Sequence, residues 1–276
     1  MGNVITLTTD FGTDDAYVAT MKGVILSINP RVTIVDICHN VQPQNISQAA
    51  FILSTAHHYF PEGTIHVVVV DPGVGTERRV VLVVTPSAFF IAPDNGVLSY
   101  IIEEAPLEME EQPPPTDGGQ IRLGHGLQAF ALTNPHFWHH PVSTTFHGRD
   151  IFAPVAAYLS SGTPAQDFGE PIDTLFTFPL PRPQIKEDGV LAGYVIHIDH
   201  FGNLITTFKK EDLPKGRVFI EVAGHIVEGV SQSYAEDSEL LAIIGSSGNL
   251  EVSLKNGSAA QLLRAKIGNE VSITTL

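Results

Sequence analysis

The chain has 276 residues, 43% of them hydrophobic, and its 30 acidic and 15 basic residues give a formal net charge of −15. This length allows one large domain or two ordinary ones, and the acidic balance argues against nucleic-acid binding, which needs basic surfaces that meet phosphates. There is no apolar run long enough for a membrane span, no signal-peptide pattern and only one cysteine, Cys38, so we expect a cytoplasmic protein that has no disulfide bond and no membrane partner.

Strands and helices alternate over the first half of the sequence. Helical periodicity at 14–28 and 46–60 predicts two helices, the first capped by Thr13 or Asp14. Short apolar runs predict strands at 4–9, 32–37, 64–70, 80–85 and 89–93. Because strands that alternate with helices form parallel sheets with right-handed crossovers, we expect an α/β domain.

The second half of the sequence changes character. The acidic, Pro- and Gly-rich segment 103–124 predicts an exposed excursion, and 145–162 predicts a helix. Beyond a proline-rich break at 176–189, six short β-rich runs separated by turns predict a small barrel or sandwich. We therefore expect an α/β domain with a mostly parallel central sheet at 1–178, a linker at 179–189 and a smaller all-β, barrel-like domain at 190–276.

The turn after the third predicted strand carries a carboxylate and a guanidinium. Asp71 and Arg78 stand at the two ends of the stretch DPGVGTER, whose glycines allow a sharp turn. Ligands of open α/β sheets bind beyond the carboxyl ends of the strands, so these side chains are candidates for chemistry. A purely structural ion pair explains them equally well, and the stretch matches neither of the common glycine-rich phosphate motifs.

Three more polar clusters interrupt apolar runs. Asp10 follows the first strand, where a carboxylate can bind the two hydroxyls of a ribose or simply cap the next helix. His147 lies in TFHGRD (145–150), at the start of the segment 145–162 and just before its helix, and the Arg and Asp of this motif can pair with each other or cap that helix. In IDHFGN, Asp199 and Asn203 flank Phe201, which can stack on a purine or occupy a tight turn between strands.

Histidines occur in two groups, HH at 57–58 and HFWHH at 136–140. Imidazoles at i, i+3 and i+4 of a helix would share a face. However, no cysteine accompanies them, no HExxH pattern occurs, and prolines closely bound the second group. We therefore expect no metal site. The absence of GxSxG also argues against a serine hydrolase.

Five motifs, read in order along the chain, resemble those of one family. They are TLTTDFG (6–12), DPGVGTERR (71–79), PDNG (93–96), TFHGRDIFAP (145–154) and IDHFGN (198–203). Together they resemble the S-adenosyl-L-methionine hydrolases, or SAM hydroxide adenosyltransferases, to which fluorinases and chlorinases are related. The resemblance spans nearly the whole chain.

The resemblance implies a reaction and an assembly. Water would attack C5′ of S-adenosyl-L-methionine, the substrate, to give adenosine and L-methionine without a separate cofactor or metal. The family has an N-terminal α/β domain and a C-terminal β domain. Its members are homotrimers that hold the ligand at the seam between one subunit's N-terminal domain and a neighbour's C-terminal domain.

The resemblance also implies roles for individual residues. The catalytic triad falls on Asp71, Arg78 and His147. The substrate contacts fall on Asp10 for the ribose, Phe201 and Asn203 for the base, Asp199 for the methionine amino group, and Ser246 and Ser247 around the methionine moiety. We expect Asp71 and Arg78 to position the water and His147, with an ordinary pKa of ~6.5, to accept its proton.

Departures from the halogenating relatives favour water over halide. This chain has Asp71 where they carry a tyrosine, and Gly148 replaces the serine that donates a hydrogen bond to the halide. The extra fluorinase loop is missing, and Gln44 stands where they use an aromatic residue. Two alternatives stay open: a halide-dependent adenosyltransferase, and a non-catalytic adenosine or S-adenosyl-L-methionine binding protein.

Overall fold

The computed structural model describes residues 4–104, 118–124, 126–235 and 239–275. The chain divides into two compact units, Met1–Pro179 and Leu180–Leu276. None of the helices in these described ranges is both long enough and apolar enough to span a bilayer.

The first unit combines strands with helices. Its strands are β1 (Val4–Thr9), β2 (Thr33–Cys38), β3 (Thr64–Val69), β4 (Val80–Val84), β5 (Ala88–Pro93), β6 (Gly119–Arg122), β7 (Gln128–Ala131), β8 (Glu170–Ile172) and β9 (Thr174–Thr177). Its α-helices are α1 (Tyr17–Ile28), α2 (Ile46–Ala56), α3 (Ser99–Glu104) and α4 (Ala153–Ser160). A π-helix at Gly148–Phe152 runs directly into α4. The five strands predicted in the first half are all present.

Seven strands form the main sheet, in the order β2-β1-β3-β5-β4-β7-β8, while β6 pairs with β9. The pairs β2-β1, β1-β3 and β3-β5 are parallel, and the pairs from β5 to β8 are antiparallel. The sheet is therefore parallel over only one half. The reason is visible in the sequence, because the three residues between β4 and β5 are too few for a parallel crossover.

Helices cover both faces of this sheet. Side chains of a strand alternate between faces, so Val67 and Val69 pack with the core that includes α1 and α4, while Val68 and Val70 pack with the core that includes α2 and α3. The third strand is thus buried on both sides, as its unbroken run of valines predicts.

Helix α1 begins three residues later than predicted. Residues 13–16 form bends, Gly12 has φ 68° and donates to the His39 carbonyl, and the N-cap is Ala16, which makes no side-chain cap. The predicted caps Thr13 and Asp14 are therefore wrong, and so is the reading of Asp10 as a helix cap. The chain needs these residues to turn away from the sheet edge before the helix can start.

The second unit is a nearly closed antiparallel sheet. Its strands are β10 (Gln184–Ile185), β11 (Leu191–Ile198), β12 (Leu204–Lys209), β13 (Val218–Val222), β14 (His225–Glu228), β15 (Leu240–Ile244), β16 (Asn249–Leu254) and β17 (Glu270–Thr275), joined by helix α5 (Ala259–Leu263) before β17. The order is β14-β13-β17-β11-β12-β16-β15, with β10 added to β11. All six predicted strands are present.

Two strands of the second unit were not predicted. Strand β14 forms a hairpin with β13 across Ala223 and Gly224, which both have positive φ, 51° and 76°. This conformation matches the right-handed twist of a hairpin. Strand β10 lies inside the segment predicted as a linker.

Candidate active site

The chain after β3 places Asp71 at the carboxyl edge of the parallel part of the sheet. A turn follows, in which the amide of Val74 donates to the Asp71 carbonyl and Asn95 donates to the Val70 carbonyl. Gly75 has φ 78°, and a Cβ there would lie 2.4 Å from the Thr144 carbonyl oxygen. A glycine at this position therefore lets the turn pack against the loop that leads to His147.

Arg78 joins Asp71 to His147. Its Nε lies 3.0 Å and 2.9 Å from the two carboxylate oxygens of Asp71, and its Nη2 also donates to Asp71. The same Nη2 lies 2.8 Å from Nδ1 of His147. The side chains of Arg78 and Asp71 are 12% and 5% exposed, and the guanidinium lies over the Phe152 ring. The structure thus brings together the three residues that the sequence predicts as catalytic.

The contact with Arg78 fixes the chemistry of His147. A guanidinium can only donate, so Nδ1 must accept, and the neutral ring carries its hydrogen on Nε2. Burial and the charge of Arg78 lower the pKa of His147, against the opposing effect of Asp71 and Asp150. Nδ1 of the neutral imidazole therefore accepts from Arg78 and Nε2 carries the hydrogen, so neither nitrogen has a free lone pair for another proton. This arrangement argues against our expectation that His147 accepts the proton of the attacking water.

The π-helix holds His147 and Gly148 in place. Helical segments of this type occur frequently at functional sites. A Cβ on Gly148 would lie 3.2 Å from Met21 Sδ and 3.3 Å from Val69 Cγ1, so a serine there would need its neighbours to move. The packing around β3 and α1 thus leaves little room for the hydroxyl that halogenating relatives use.

Asp150 and Arg149 pair with each other, as one of the two structural readings predicts. Arg149 Nε and Nη2 lie 2.6 Å and 2.9 Å from the two oxygens of Asp150, which is 0% exposed, and the Ser143 amide donates to it as well. Burial alone would raise the pKa of Asp150, but the hydrogen bonds from Arg149 and Ser143 hold it below the ordinary value. This pair ties the loop before His147 to the π-helix.

Asp10 lies at the same sheet edge, since β1 and β3 are adjacent and parallel with Thr9 opposite Val69. Its Oδ2 accepts the backbone amide of Gln44 at 2.7 Å. Gln44 has φ 65°, a left-handed conformation that side chains other than glycine seldom adopt. Gln44 therefore contributes its backbone to the orientation of Asp10, a role that its side chain does not reveal.

Three aromatic residues beside the predicted site were missed by sequence reasoning. The rings of Phe11, Tyr17 and Phe146 have centroids 5.2 to 5.7 Å apart. Phe11 follows Asp10 and Phe146 precedes His147, and Tyr17 is 48% exposed. The sequence did contain one signal for this cluster, namely that Phe11 and Phe146 are adjacent to predicted site residues. The cluster offers an apolar wall at the sheet edge.

In the second unit, Asp199 organises the turn between β11 and β12. Its Oδ1 accepts the amides of Phe201 and Asn203, and its Oδ2 accepts Nδ2 of Asn203 at 2.8 Å. Phe201 is 73% exposed. The turn predicted from the sequence is confirmed, and it presents an aromatic ring on a rigid support.

Ser246 and Ser247 lie in the turn between β15 and β16. Ser246 is exposed, whereas the hydroxyl of Ser247 is buried and has no hydrogen-bond partner among the described residues. A buried hydroxyl without a partner is unusual, because most buried polar groups are satisfied. The roles of these serines and of the Asp199 turn in ligand binding stay predictions.

One group of side chains has the composition of a metal site. His57, His58 and Glu104 have ligand atoms within 4.8 Å of one another. The two imidazole rings are tilted by 39° with centroids 3.7 Å apart, and each Nε2 approaches the same Glu104 oxygen, at 3.2 and 3.3 Å. This geometry suits two ring N–H groups that donate to one carboxylate. His57 and His58 precede the N-terminal end of β3, whereas Asp71 follows its C-terminal end.

The second histidine group does not form the shared face that helical spacing would give. Only Pro135–Phe137 is helical, as one short 3₁₀ turn, and His140 Nε2 contacts the Pro135 carbonyl at 2.9 Å. The prolines at both ends of this stretch prevent a regular helix.

Two family models match this chain, one over each of its two units. The family models described as the SAM hydroxide adenosyltransferase N-terminal and C-terminal domains match residues 5–169 and 193–272. The chain belongs to this family. The fluorinases are more distant members of the same group of relatives, for example one from Nocardia brasiliensis that is 29% identical over 98% of this chain and 96% of its own.

Two relatives with higher identity than this fluorinase have the same name. Proteins named (R)-S-adenosyl-L-methionine hydrolase from Thermus thermophilus and Salinispora tropica are 37% and 34% identical, and cover 96% and 98% of this chain and 96% and 97% of their own. An uncharacterized conserved protein from Thermotoga maritima, 32% identical, has a crystal structure that superposes with a TM-score of 0.84 over 98% of this chain and 99% of its own. This chain therefore shares its fold with the Thermotoga maritima protein.

Proposed function

We propose that this SAM hydroxide adenosyltransferase family member hydrolyses (R)-S-adenosyl-L-methionine to adenosine and L-methionine. The observation that carries the proposal is the hydrogen-bonded set Asp71–Arg78–His147 at the sheet edge that also holds Asp10. The names of the full-length relatives support the same substrate and reaction. The proposed reaction uses no metal or separate cofactor, and we place it in the cytoplasm, as the single cysteine suggests.

In the proposed reaction, the oxygen of water forms a bond to C5′ while the C5′–S bond breaks. The bonding electrons go to sulfur, which leaves as the neutral thioether of methionine. Because the sulfonium is already a good leaving group, no acid is required to expel it. The protein must instead hold the water in line with the C5′–S bond, and such positioning can supply several kcal/mol.

We assign the water contacts to Asp71 and His147. Oδ1 of Asp71 accepts one hydrogen bond from Arg78, whereas Oδ2 accepts two, so Oδ1 has a further lone pair that can accept a hydrogen bond from the water. The Nε2–H of His147 can donate to the water oxygen. As the C5′–O bond forms, the water becomes strongly acidic, and an ion-paired carboxylate can then take its proton.

The pH dependence tests whether the reaction needs a neutral His147. With its pKa lowered by burial and by Arg78, His147 stays neutral as the pH falls through ~6.5, and protonation at lower pH displaces Arg78 from Nδ1. We expect kcat to fall on acidification with a midpoint below the ordinary histidine pKa. Steady-state product assays over a pH series measure this profile.

Two His147 variants give the control for the pH measurement. Glutamine can place an N–H near the position of Nε2, whereas asparagine can only replace Nδ1, so His147→Gln should retain more activity than His147→Asn. Equal loss of activity in both variants would restore His147 as the base.

The source of the product oxygen tests the proposed function. In ¹⁸O-water, we expect purified protein to convert the (R) sulfonium epimer into adenosine labelled at the 5′-hydroxyl and unlabelled methionine, as mass spectrometry of the separated products would reveal. Added chloride should neither accelerate the reaction nor yield 5′-chloro-5′-deoxyadenosine. A halogenated nucleoside as main product would establish the adenosyltransferase alternative, and binding without turnover would establish the binding-protein alternative.

We also propose that the chain acts as a homotrimer with two chains contributing to each site, the assembly that the family resemblance implies. Asp10→Ala and Asn203→Ala each remove one predicted ligand contact, from different units of the chain. If sites combine two chains, mixed trimers refolded from both variants should regain part of the activity that each variant alone has lost. A fully active monomer in light scattering would contradict this proposal.

A further inference from the structure

Strand β16 has a buried polar face that the proposed function does not yet use. Its residues Leu250 and Val252 point into the apolar core of the second unit. The residues that alternate with them along the strand point to the opposite face, where side chains of a surface sheet are ordinarily exposed. Asn249, Glu251 and Ser253 are nevertheless only 3%, 6% and 1% exposed.

Glu251 is buried in this face without a cation. Its hydrogen-bond partner among the described residues is the Tyr234 hydroxyl, which donates to Oε2 at 3.2 Å. Burial raises the pKa of Glu251, and the charge of Asp199 adds to the effect. Buried carboxylates are normally paired with a cation, and here the described part of the chain supplies none.

The carboxyl group of Glu251 reaches the turn that carries Ser246 and Ser247. A Cβ on Gly245 would lie 1.7 Å from Oε1 of Glu251, so only glycine leaves room for this side chain. The hydroxyl of Ser247 is buried without a partner among the described residues, whereas Ser253 lies at the Tyr234 hydroxyl and interacts with it. The carboxyl group of Glu251 and the unsatisfied hydroxyl of Ser247 thus both belong to this turn.

We propose that Glu251, together with Asp199, binds the α-ammonium group at the amino-acid end of the substrate. This inference rests on the proposed function for the identity of the ligand, which is a cation. An ammonium donates three hydrogen bonds, and carboxylate and hydroxyl oxygens accept them, whereas a sulfonium donates none. The arriving cation would give the Ser247 hydroxyl a donor and would compensate the buried charge of Glu251.

Three adenosine ligands and the isosteric variant Glu251→Gln test the proposal by calorimetric titration. S-adenosyl-L-homocysteine contains the ammonium, decarboxylated S-adenosyl-L-methionine contains it without the carboxylate, and 5′-methylthioadenosine lacks the whole amino-acid end. We expect the first two to bind at least about tenfold more weakly to the variant, as for the loss of a hydrogen bond to a charged group. The affinity for 5′-methylthioadenosine should be unchanged.

Glu221→Gln, an exposed residue of β13, is the matched control and should leave all three affinities unchanged. Tyr234→Phe, which keeps the carboxyl group and removes its donor, should weaken the same two ligands by a smaller factor. Unchanged affinities in Glu251→Gln, or equal weakening of all three ligands, would overturn the proposal, as would weakening confined to the ligand that has a carboxylate.

The titrations do not depend on turnover. If the wild-type protein fails to hydrolyse the substrate but the variant loses the ammonium-containing ligands, the proposed function falls and this inference stands. If hydrolysis occurs and Glu251→Gln binds all three ligands normally, only this inference falls.

Discussion

Replacing Arg78 with alanine should lower kcat by roughly 10²–10⁴-fold while adenosine binding persists. Arg78 is the residue that contacts both other members of the set, through its bonds to Asp71 and to Nδ1 of His147. Without it, His147 loses the donor that fixes its tautomer and Asp71 loses its orientation. Product chromatography gives kcat, and calorimetric titration with adenosine gives the binding.

Arg79, the next residue along the chain, supplies a matched control for Arg78→Ala. Arg79 makes a comparable ion pair, with Asp94 at 2.9 Å, and also donates to Gln120 and to the Thr174 carbonyl. Either alanine variant leaves a carboxylate unpaired whose side chain is 5% or 3% exposed, so each should lose about 3–5 kcal/mol of folding free energy. Only Arg78→Ala should lose kcat among the molecules that remain folded. A similar loss of kcat in Arg79→Ala would reduce the role of Arg78 to stability.

Replacing Asp150 with alanine should destabilise the protein by about 1.5–3 kcal/mol, because Arg149 loses its bidentate partner and the Ser143 amide loses its acceptor. The pKa of Asp150 lies below its ordinary value of ~3.9. Its contribution is therefore complete above that value and is lost as the pH falls through the lower, native pKa. Thermal or urea unfolding at neutral and at acidic pH measures the difference.

An exposed pair gives the control for Asp150. Asp173 lies 3.8 Å from Arg122, and both side chains are largely exposed, so Asp173→Ala should change stability by no more than about 0.5 kcal/mol. If Asp150→Ala unfolds with the same midpoint as wild type at neutral pH, the buried pair does not hold the loop before His147. A midpoint difference that grows on acidification would contradict the stated sign.

The amino-acid sequence by itself determined the strand and helix positions of the first half, the change to a β-rich second half, and the family. Runs such as VVVV at 67–70 and the alternation of β13 express which faces are buried, and burial is the dominant stabilising force. The sequence also determined the residues of the candidate site, because motifs such as DPGVGTER and TFHGRD carry their chemistry in consecutive letters.

The tertiary structure alone decided how those residues contact one another. Arg78 and His147 are 69 positions apart, and no local pattern reveals that Nδ1 accepts from the guanidinium, a contact that argues against the histidine as proton acceptor. The backbone of Gln44 at Asp10 and the aromatic cluster around Phe146 likewise depend on chains that meet only in the folded sheet. The same holds for Glu251, whose place in an alternating strand predicts exposure, and whose burial follows from the segment of Tyr234 that covers it. Propensity and periodicity describe neighbours along the chain, whereas ionisation and hydrogen bonding depend on neighbours in space.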